Sequence, residues 1–201
     1  VTAGAATTGS GRRRPRPAGL LLTPGAGASA DHPSLVAVEE ALVPRGIGVA
    51  RLDFPYRLAG RRAPDRPPVL IAAVVQGATA LADELGVPPK RLALGGRSMG
   101  GRMCSMAVAE GAVPAAALVL ISYPLHPPGR PDALRTAHFD RLDLPCLFVS
   151  GTKDAFGSPA ELETATAAIP GPVTHVWIEG GDHGLRRRDE AVAQAVASWL
   201  T

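Results

Sequence analysis

Arg91–Arg102, RLALGGRSMGGR, is the stretch whose reading decides the fold. Its apolar start, Leu92 to Leu94, suits a buried strand, and the run from Met103 to Glu110 suits a helix. Between them lies Gly96-x-Ser98-x-Gly100. A serine that leaves a strand and at once enters a helix sits on a strained turn, with the residues two before and two after it pressed together. Only side chains near zero in size fit there, which accounts for Gly96 and Gly100. The turn lifts the Ser98 hydroxyl above the sheet edge and aims the free N–H groups of a helix N-terminus at the same point. The pattern therefore predicts a nucleophile elbow, with Ser98 as the nucleophile.

A serine hydroxyl is a weak nucleophile at neutral pH unless a base takes its proton, and the base needs an orienting acid. After such an elbow the partners follow in the order Ser, Asp or Glu, His, each in a loop beyond a later strand. His183, in Glu179-Gly180-Gly181-Asp182-His183-Gly184, is the only histidine just past the last expected strand. Glycines on both sides let that loop approach the elbow. The strand opening at Cys146 runs into Ser150-Gly151-Thr152-Lys153-Asp154-Ala155-Phe156-Gly157. Asp154 thus falls at the carboxyl edge of the sheet, where open α/β sheets bind ligands. Asp182 is its rival, but neighbours in sequence usually point apart, and Asp154 is the favoured acid. The oxyanion needs two preorganised N–H groups. Met99, directly after the nucleophile, supplies one, and Ala26, in the glycine loop Pro24 to Gly27, supplies the other. Tyr56, His126 and Phe156 are candidates for the substrate-pocket wall.

The rest of the chain fits this frame. Its 201 residues, 46% of them hydrophobic, suit one domain with a substantial core. Apolar runs at 19–23, 47–52, 92–94, 116–121, 146–149 and 173–178 read as strands. Helical patterns start at Pro33 and cover 69–85, 99–110, 159–168 and 190–200. Such alternation means a mostly parallel central sheet with helices on both faces. Residues 1–17 read as a flexible arm or remnants of edge strands, and 18–201 as the domain. Only 24 residues separate Ile121 from Cys146, five of them proline, so a separate helical cap is not expected. Aromatic residues are also scarce, at 4%.

The formal charge of +3 is local, since Arg12, Arg13, Arg14 and Arg16 account for four positive charges and leave −1 on residues 18–201. Neither this run nor Arg186–Arg188 is interleaved with aromatics, so no nucleic-acid partner is expected. The Arg-rich start followed by Leu20–Leu22 and Ala28-Ser29-Ala30 mimics a signal peptide, but the apolar core is short and Pro24 interrupts it; the expectation is cytoplasmic. No run looks long enough to span a membrane. Cys104 and Cys146 read as buried, reduced thiols without metal-ligand partners. Gly25-x-Gly27-x-x-Ala30 fits a loose dinucleotide fingerprint, but it does not run straight into a helix. Asp53, the acid wanted on the ribose, comes 28 residues after Gly25 rather than about 20.

The stretches PGAGASADHP, LDFPYRLAGRRAPD, LALGGRSMGGRM, ISYPLHPPGRPDALRTAHF, SGTKDAFG and GGDH, spanning residues 18 to about 185, carry a family resemblance. The chain resembles an α/β-hydrolase of the dienelactone-hydrolase-like branch, and more closely the small bacterial proteins related to the testis-expressed and chromatin-complex hydrolase-like subunits of animals. The resemblance implies an α/β-hydrolase fold without a cap domain, and Ser98, Asp154 and His183 as triad. Relatives commonly carry His-Gly where this chain has Pro24-Gly25; proline removes an imidazole and an N–H, though not the Ala26 N–H. The expected activity is that of a serine hydrolase cleaving a small carboxylic ester through an acyl-enzyme on Ser98, with no metal or organic cofactor. The alternative, from another class, is a hydrolase-shaped interaction module without significant catalysis.

Overall fold

The computed structural model describes residues 16–201. Its six apolar runs form strands β1 (Gly19–Thr23), β2 (Gly48–Arg51), β3 (Leu92–Arg97), β4 (Ala117–Ile121), β5 (Cys146–Gly151) and β6 (Val173–Ile178). They pair in the order β2-β1-β3-β4-β5-β6, and every neighbouring pair is parallel. Apart from Arg16 and Pro17, which are not in a strand, the expected arm or edge-strand remnant lies outside the described residues.

Parallel strands need crossovers, and helices supply all of these but the one between β4 and β5. They are α1 (Pro33–Leu42), α2 (Pro55–Leu58), α3 (Pro67–Leu85), α4 (Met99–Ala109), α5 (Pro159–Thr166) and α6 (Asp189–Leu200). Because successive strand side chains point to opposite faces, each strand feeds two cores. Leu20, Leu22, Ala93, Val119, Ile121, Leu147 and Val149 pack with α1 and α6. Leu21, Leu92, Leu94, Leu118, Leu120 and Phe148 pack with α3, α4 and Leu162 of α5. The central strands are buried on both faces, hence their nearly unbroken apolar sequence.

The boundaries differ from the sequence reading where proline is involved. The long helix opens at Pro67 rather than Val69, because the first turn of a helix does not use the N–H groups that prolines lack. A short helix not expected from the sequence, α2, lies between β2 and α3, and its Pro55 sits at the same kind of position. Between β4 and β5 there is no helical cap, only irregular chain and one 3-10 turn, Phe139–Arg141. One expectation needs correcting: α3, at 19 residues, is long and apolar enough by length and composition to cross a membrane. Here one of its faces, with Leu70, Ile71, Val74 and Leu81, is part of the core. Both cysteines are buried and no disulfide joins them, and burial pushes the Cys104 thiol up to about 12.

His138 lies buried with its Nε2 2.8 Å from Ser105 Oγ and its ring edge-on to Phe139. Burial, then the charges of Arg102 and Arg141, push its pKa from 6.5 down to about 4. Between those values the unfolded chain takes up a proton that the folded chain refuses. The contribution is therefore complete above about pH 6.5 and is lost as the pH falls towards 4. In urea titrations the wild type should lose roughly 1–3 kcal/mol more than a His138→Gln variant between pH 7 and 4. Equal losses in the two proteins would contradict this.

Candidate active site

The site lies where the strand order changes direction. β1 is followed on one side by β2 and on the other by β3, so the loops leaving their carboxyl ends diverge and open a crevice. Leu22 and Thr23 of β1 pair with Gly95 and Gly96 of β3, which brings the loop after Thr23 beside the elbow. β3 runs to Arg97, Ser98 takes φ 50° and ψ −117°, and α4 starts at Met99. A non-glycine residue in that region is strained by about 1–3 kcal/mol, and its surroundings must hold it there. The glycines explain how. A Cβ on Gly96 would overlap the Thr23 carbonyl and hydroxyl, and one on Gly100 would overlap the Thr23 and Pro24 carbonyls.

Asp154 and His183 arrive on the loops after β5 and β6. These loops are tied together by Thr152 N–H to Ile178 O (3.1 Å), Lys153 N–H to Gly181 O (2.8 Å) and Gly180 N–H to Thr152 Oγ1 (2.9 Å). A side chain on Gly151 would strike the Gly181 carbonyl, so glycine is what allows this approach. Asp154 is buried, and its Oδ1 accepts the Phe156 N–H at 2.8 Å. His183 Nδ1 stands 2.9 Å from Asp154 Oδ2 and 3.0 Å from Oδ1, while Nε2 stands 2.9 Å from Ser98 Oγ. An ionised carboxylate only accepts, so Nδ1 carries the ring proton and Nε2 turns its lone pair to the serine hydroxyl. The geometry allows a proton to pass from Ser98 to an imidazole held by Asp154. Asp182 is exposed, and the carboxylate against His183 is that of Asp154.

Two further groups fix the imidazole. Phe156 stacks on it with ring centroids 3.9 Å apart, and Arg97 Nη2 donates to the His183 carbonyl at 2.7 Å. Burial pushes the Arg97 pKa down, against the opposing charges of Asp154, Asp182 and Asp189.

A cleft of about 410 Å³ opens over Ser98. Gly25, Ala26, Met99, Pro124, Phe156 and His183 line it, together with Arg97, Arg102 and Arg135. Met99 opens α4, so its N–H has no intrahelical acceptor. Of the three residues expected in the pocket wall, only Phe156 is there. Tyr56 is buried beneath the glycine loop, stacked on Phe54, with its hydroxyl accepting the Gly27 N–H at 3.2 Å. His126 is also buried; its Nδ1 donates to the Pro127 carbonyl and its Nε2 faces Glu161 at 3.6 Å. Both lie near the sheet's carboxyl edge, but their side chains turn inward, which loop position alone does not reveal. The three arginines were not expected in this wall. Arg97 and Arg102 flank Ser98 within one helical turn, which was a usable signal; Arg135 offered none.

Among the described residues no three His, Cys, Asp or Glu side chains converge as metal ligands would. Asp53 does not await a ribose either, because its Oδ1 accepts the Ala30 N–H at 2.8 Å and braces the loop before α1.

A parallel sheet in this order, with a strained serine turn on its third strand, is the architecture of hydrolases of the α/β class. Residues 16–199 match the alpha/beta hydrolase domain family, and the chain belongs to it. Its fold is similar to that of an alpha-beta serine hydrolase homologue from Coxiella burnetii, at 16% identity with a TM-score of 0.74. That match covers 92% of this chain and 89% of the other. Est1E from Butyrivibrio proteoclasticus is similar at 17% identity and a TM-score of 0.72, over 92% and 88%. A dienelactone hydrolase from Anabaena variabilis is similar at 22% identity and 0.70, over 91% and 85%. At these identities the likeness is one of fold.

Arg97→Met should release the His183 carbonyl and lose a charge-assisted hydrogen bond, costing about 1.5–3 kcal/mol. Hydrogen–deuterium exchange should then quicken in residues 180–185 above all. Exchange that stays as slow as in the wild type would mean that the β5 and β6 loops hold themselves.

Proposed function

We propose that the protein is a serine hydrolase that cleaves small carboxylic esters through an acyl-enzyme on Ser98. The observation that carries this reading is the unbroken Asp154–His183–Ser98 relay, each link 2.9 Å, at the floor of a cleft. The Ser98 oxygen attacks the acyl carbon as His183 Nε2 takes its proton, and Asp154 stabilises the imidazolium. The N–H groups of Met99 and Ala26 receive the oxyanion. The imidazolium returns its proton to the departing alkoxide, leaving the acyl group on Ser98. Water, deprotonated by the same nitrogen, then releases the acid. In this reading the chain stays with the dienelactone-hydrolase-like branch and with the small bacterial relatives of the testis-expressed and chromatin-complex subunits. The alternative of a catalytically silent interaction module finds no specific support in the site.

A fluorophosphonate probe should label the wild type and not Ser98→Ala, which should still fold; turnover of p-nitrophenyl butyrate should fall by on the order of 10⁶. Labelling that persists on another serine would sink the assignment. Asp154→Asn should cost roughly 10⁴ through loss of the imidazole's tautomer and charge partner, whereas Asp182→Asn should cost far less. The reverse order would make Asp182 the acid.

Chain length gives an independent check. The 122–145 segment contributes no helical cover, and Met99, Pro124 and Phe156 are the larger apolar side chains of the wall. A methylene gains about 0.8 kcal/mol only when buried, so long acyl chains gain little here. kcat/KM for p-nitrophenyl acetate or butyrate should exceed that for the decanoate by about tenfold or more. A steady climb to long chains below their micelle concentrations would refute the open cleft.

A further inference from the structure

The wall of the cleft is more cationic than ester hydrolysis requires. It holds three guanidinium groups and no aspartate or glutamate. Arg97 is accounted for by its bond to the His183 carbonyl and by the nearby charges of Asp154, Asp182 and Asp189. Arg102 and Arg135 are not. Among the described residues the ion pairs involve other side chains, and neither of these two has a carboxylate partner.

Both are held in place and half-buried. Arg102 stands one helical turn after Ser98, its N–H on the Ser98 carbonyl at 3.1 Å and its own carbonyl accepting the Ser105 hydroxyl at 2.9 Å. Its Nε is buried without a hydrogen-bond partner. Arg135 comes from the segment after β4. The Tyr123 hydroxyl donates to its carbonyl at 2.6 Å, and its Nη1 makes only a long contact, 3.4 Å, to the Pro124 carbonyl. The two cations are close enough to repel: burial, and then the charge of Arg102, push the Arg135 pKa down. Tyr123, whose hydroxyl is itself buried, is the other polar neighbour they share. Two like charges held together and partly withdrawn from water are costly unless an anion joins them. Guanidinium forks match carboxylate and phosphate oxygens, singly or as a pair.

We propose that the substrate of Ser98 carries a second, anionic group, a carboxylate or a phosphate-type anion, that is received between Arg102 and Arg135. This rests on the esterase reading for its turnover, though not for its binding. The anion would orient the ester over Ser98 and neutralise the wall, leaving His183 and Asp154 to act as they would on a neutral ester. Any such ester must be short enough to reach from Ser98 to a residue one turn along α4, about 5.4 Å of helix.

The test compares esters of equal length: the mono-p-nitrophenyl ester of adipic acid, its ω-phosphonate counterpart and neutral p-nitrophenyl hexanoate. Two charge-assisted contacts should give at least one anionic ester a kcat/KM advantage of roughly 10- to 100-fold at low salt. That advantage should shrink as sodium chloride rises. Which anion gains more distinguishes carboxylate from phosphate. In Arg102→Met and Arg135→Met the ratio of anionic to neutral turnover should fall towards one; reading a ratio divides out any general loss. Calorimetric titration of the unlabelled protein with adipate and with inorganic phosphate reads the site without catalysis. If no ester is turned over and no probe labels Ser98, the esterase reading has failed, and saturable binding lost in the two variants would still establish the anion site. A wild-type ratio near one, a preference that survives both substitutions, or no turnover together with no saturable binding would each overturn the proposal. The wild-type ratio and its salt dependence decide the matter even if a variant does not fold.

Discussion

The contact between Thr23 and the glycines of the elbow is the constraint on which the rest of the molecule depends. Thr23 pairs with Gly96 across β1 and β3, donates its hydroxyl to the Gly95 carbonyl at 3.0 Å, and leaves no space for a side chain on Gly96 or Gly100. This approach lets α4 start directly at the end of β3 and forces Ser98 into its left-handed conformation. The strain of about 1–3 kcal/mol is not relieved locally. It is borne by the burial around it: β1, β3 and β4 are wholly buried, with separate apolar layers packed on each face. Ser98 is therefore held by the most deeply buried part of the sheet.

The opposite side of the site is built differently. The loops after β5 and β6 are tied to each other by hydrogen bonds, two between backbone groups and one from the Gly180 N–H to the Thr152 hydroxyl, and Leu185 anchors the second loop in the core. His183 is then fixed from three directions, by Asp154 at its Nδ1, by Phe156 on its face and by Arg97 on its carbonyl. Arg97 belongs to β3 and so links the histidine loop to the rigid elbow. A residue adjacent to Ser98 thus sets where the distant His183 stands, over a separation of 86 residues.

Charge is distributed unevenly around Ser98. The acid that balances His183 is buried behind it, while guanidinium groups face the open cleft. Whatever enters meets cations first and an apolar surface of limited extent. An uncapped segment between β4 and β5 leaves the entrance to these side chains rather than to a lid.

The sequence by itself determined the layers, the elbow and the two loops that approach it. Strand periodicity, apolar runs and glycine spacing are local properties, and Gly96, Ser98 and Gly100 encode their turn within five residues. It also marked Asp154 and His183, because each follows a readable strand by only a few residues. Which of Asp154 and Asp182 faces the imidazole was decided by tertiary structure, since that depends on how the β5 loop is tied to the β6 loop. The same holds for the wall of the cleft. Tyr56 and His126 sit near the right edge but turn into the interior, whereas Arg135, distant in sequence and without any pattern, is brought over Ser98. Local spacing fixes where a backbone segment goes; the direction of a side chain on an irregular segment is fixed by what surrounds it, and only the folded chain supplies those surroundings.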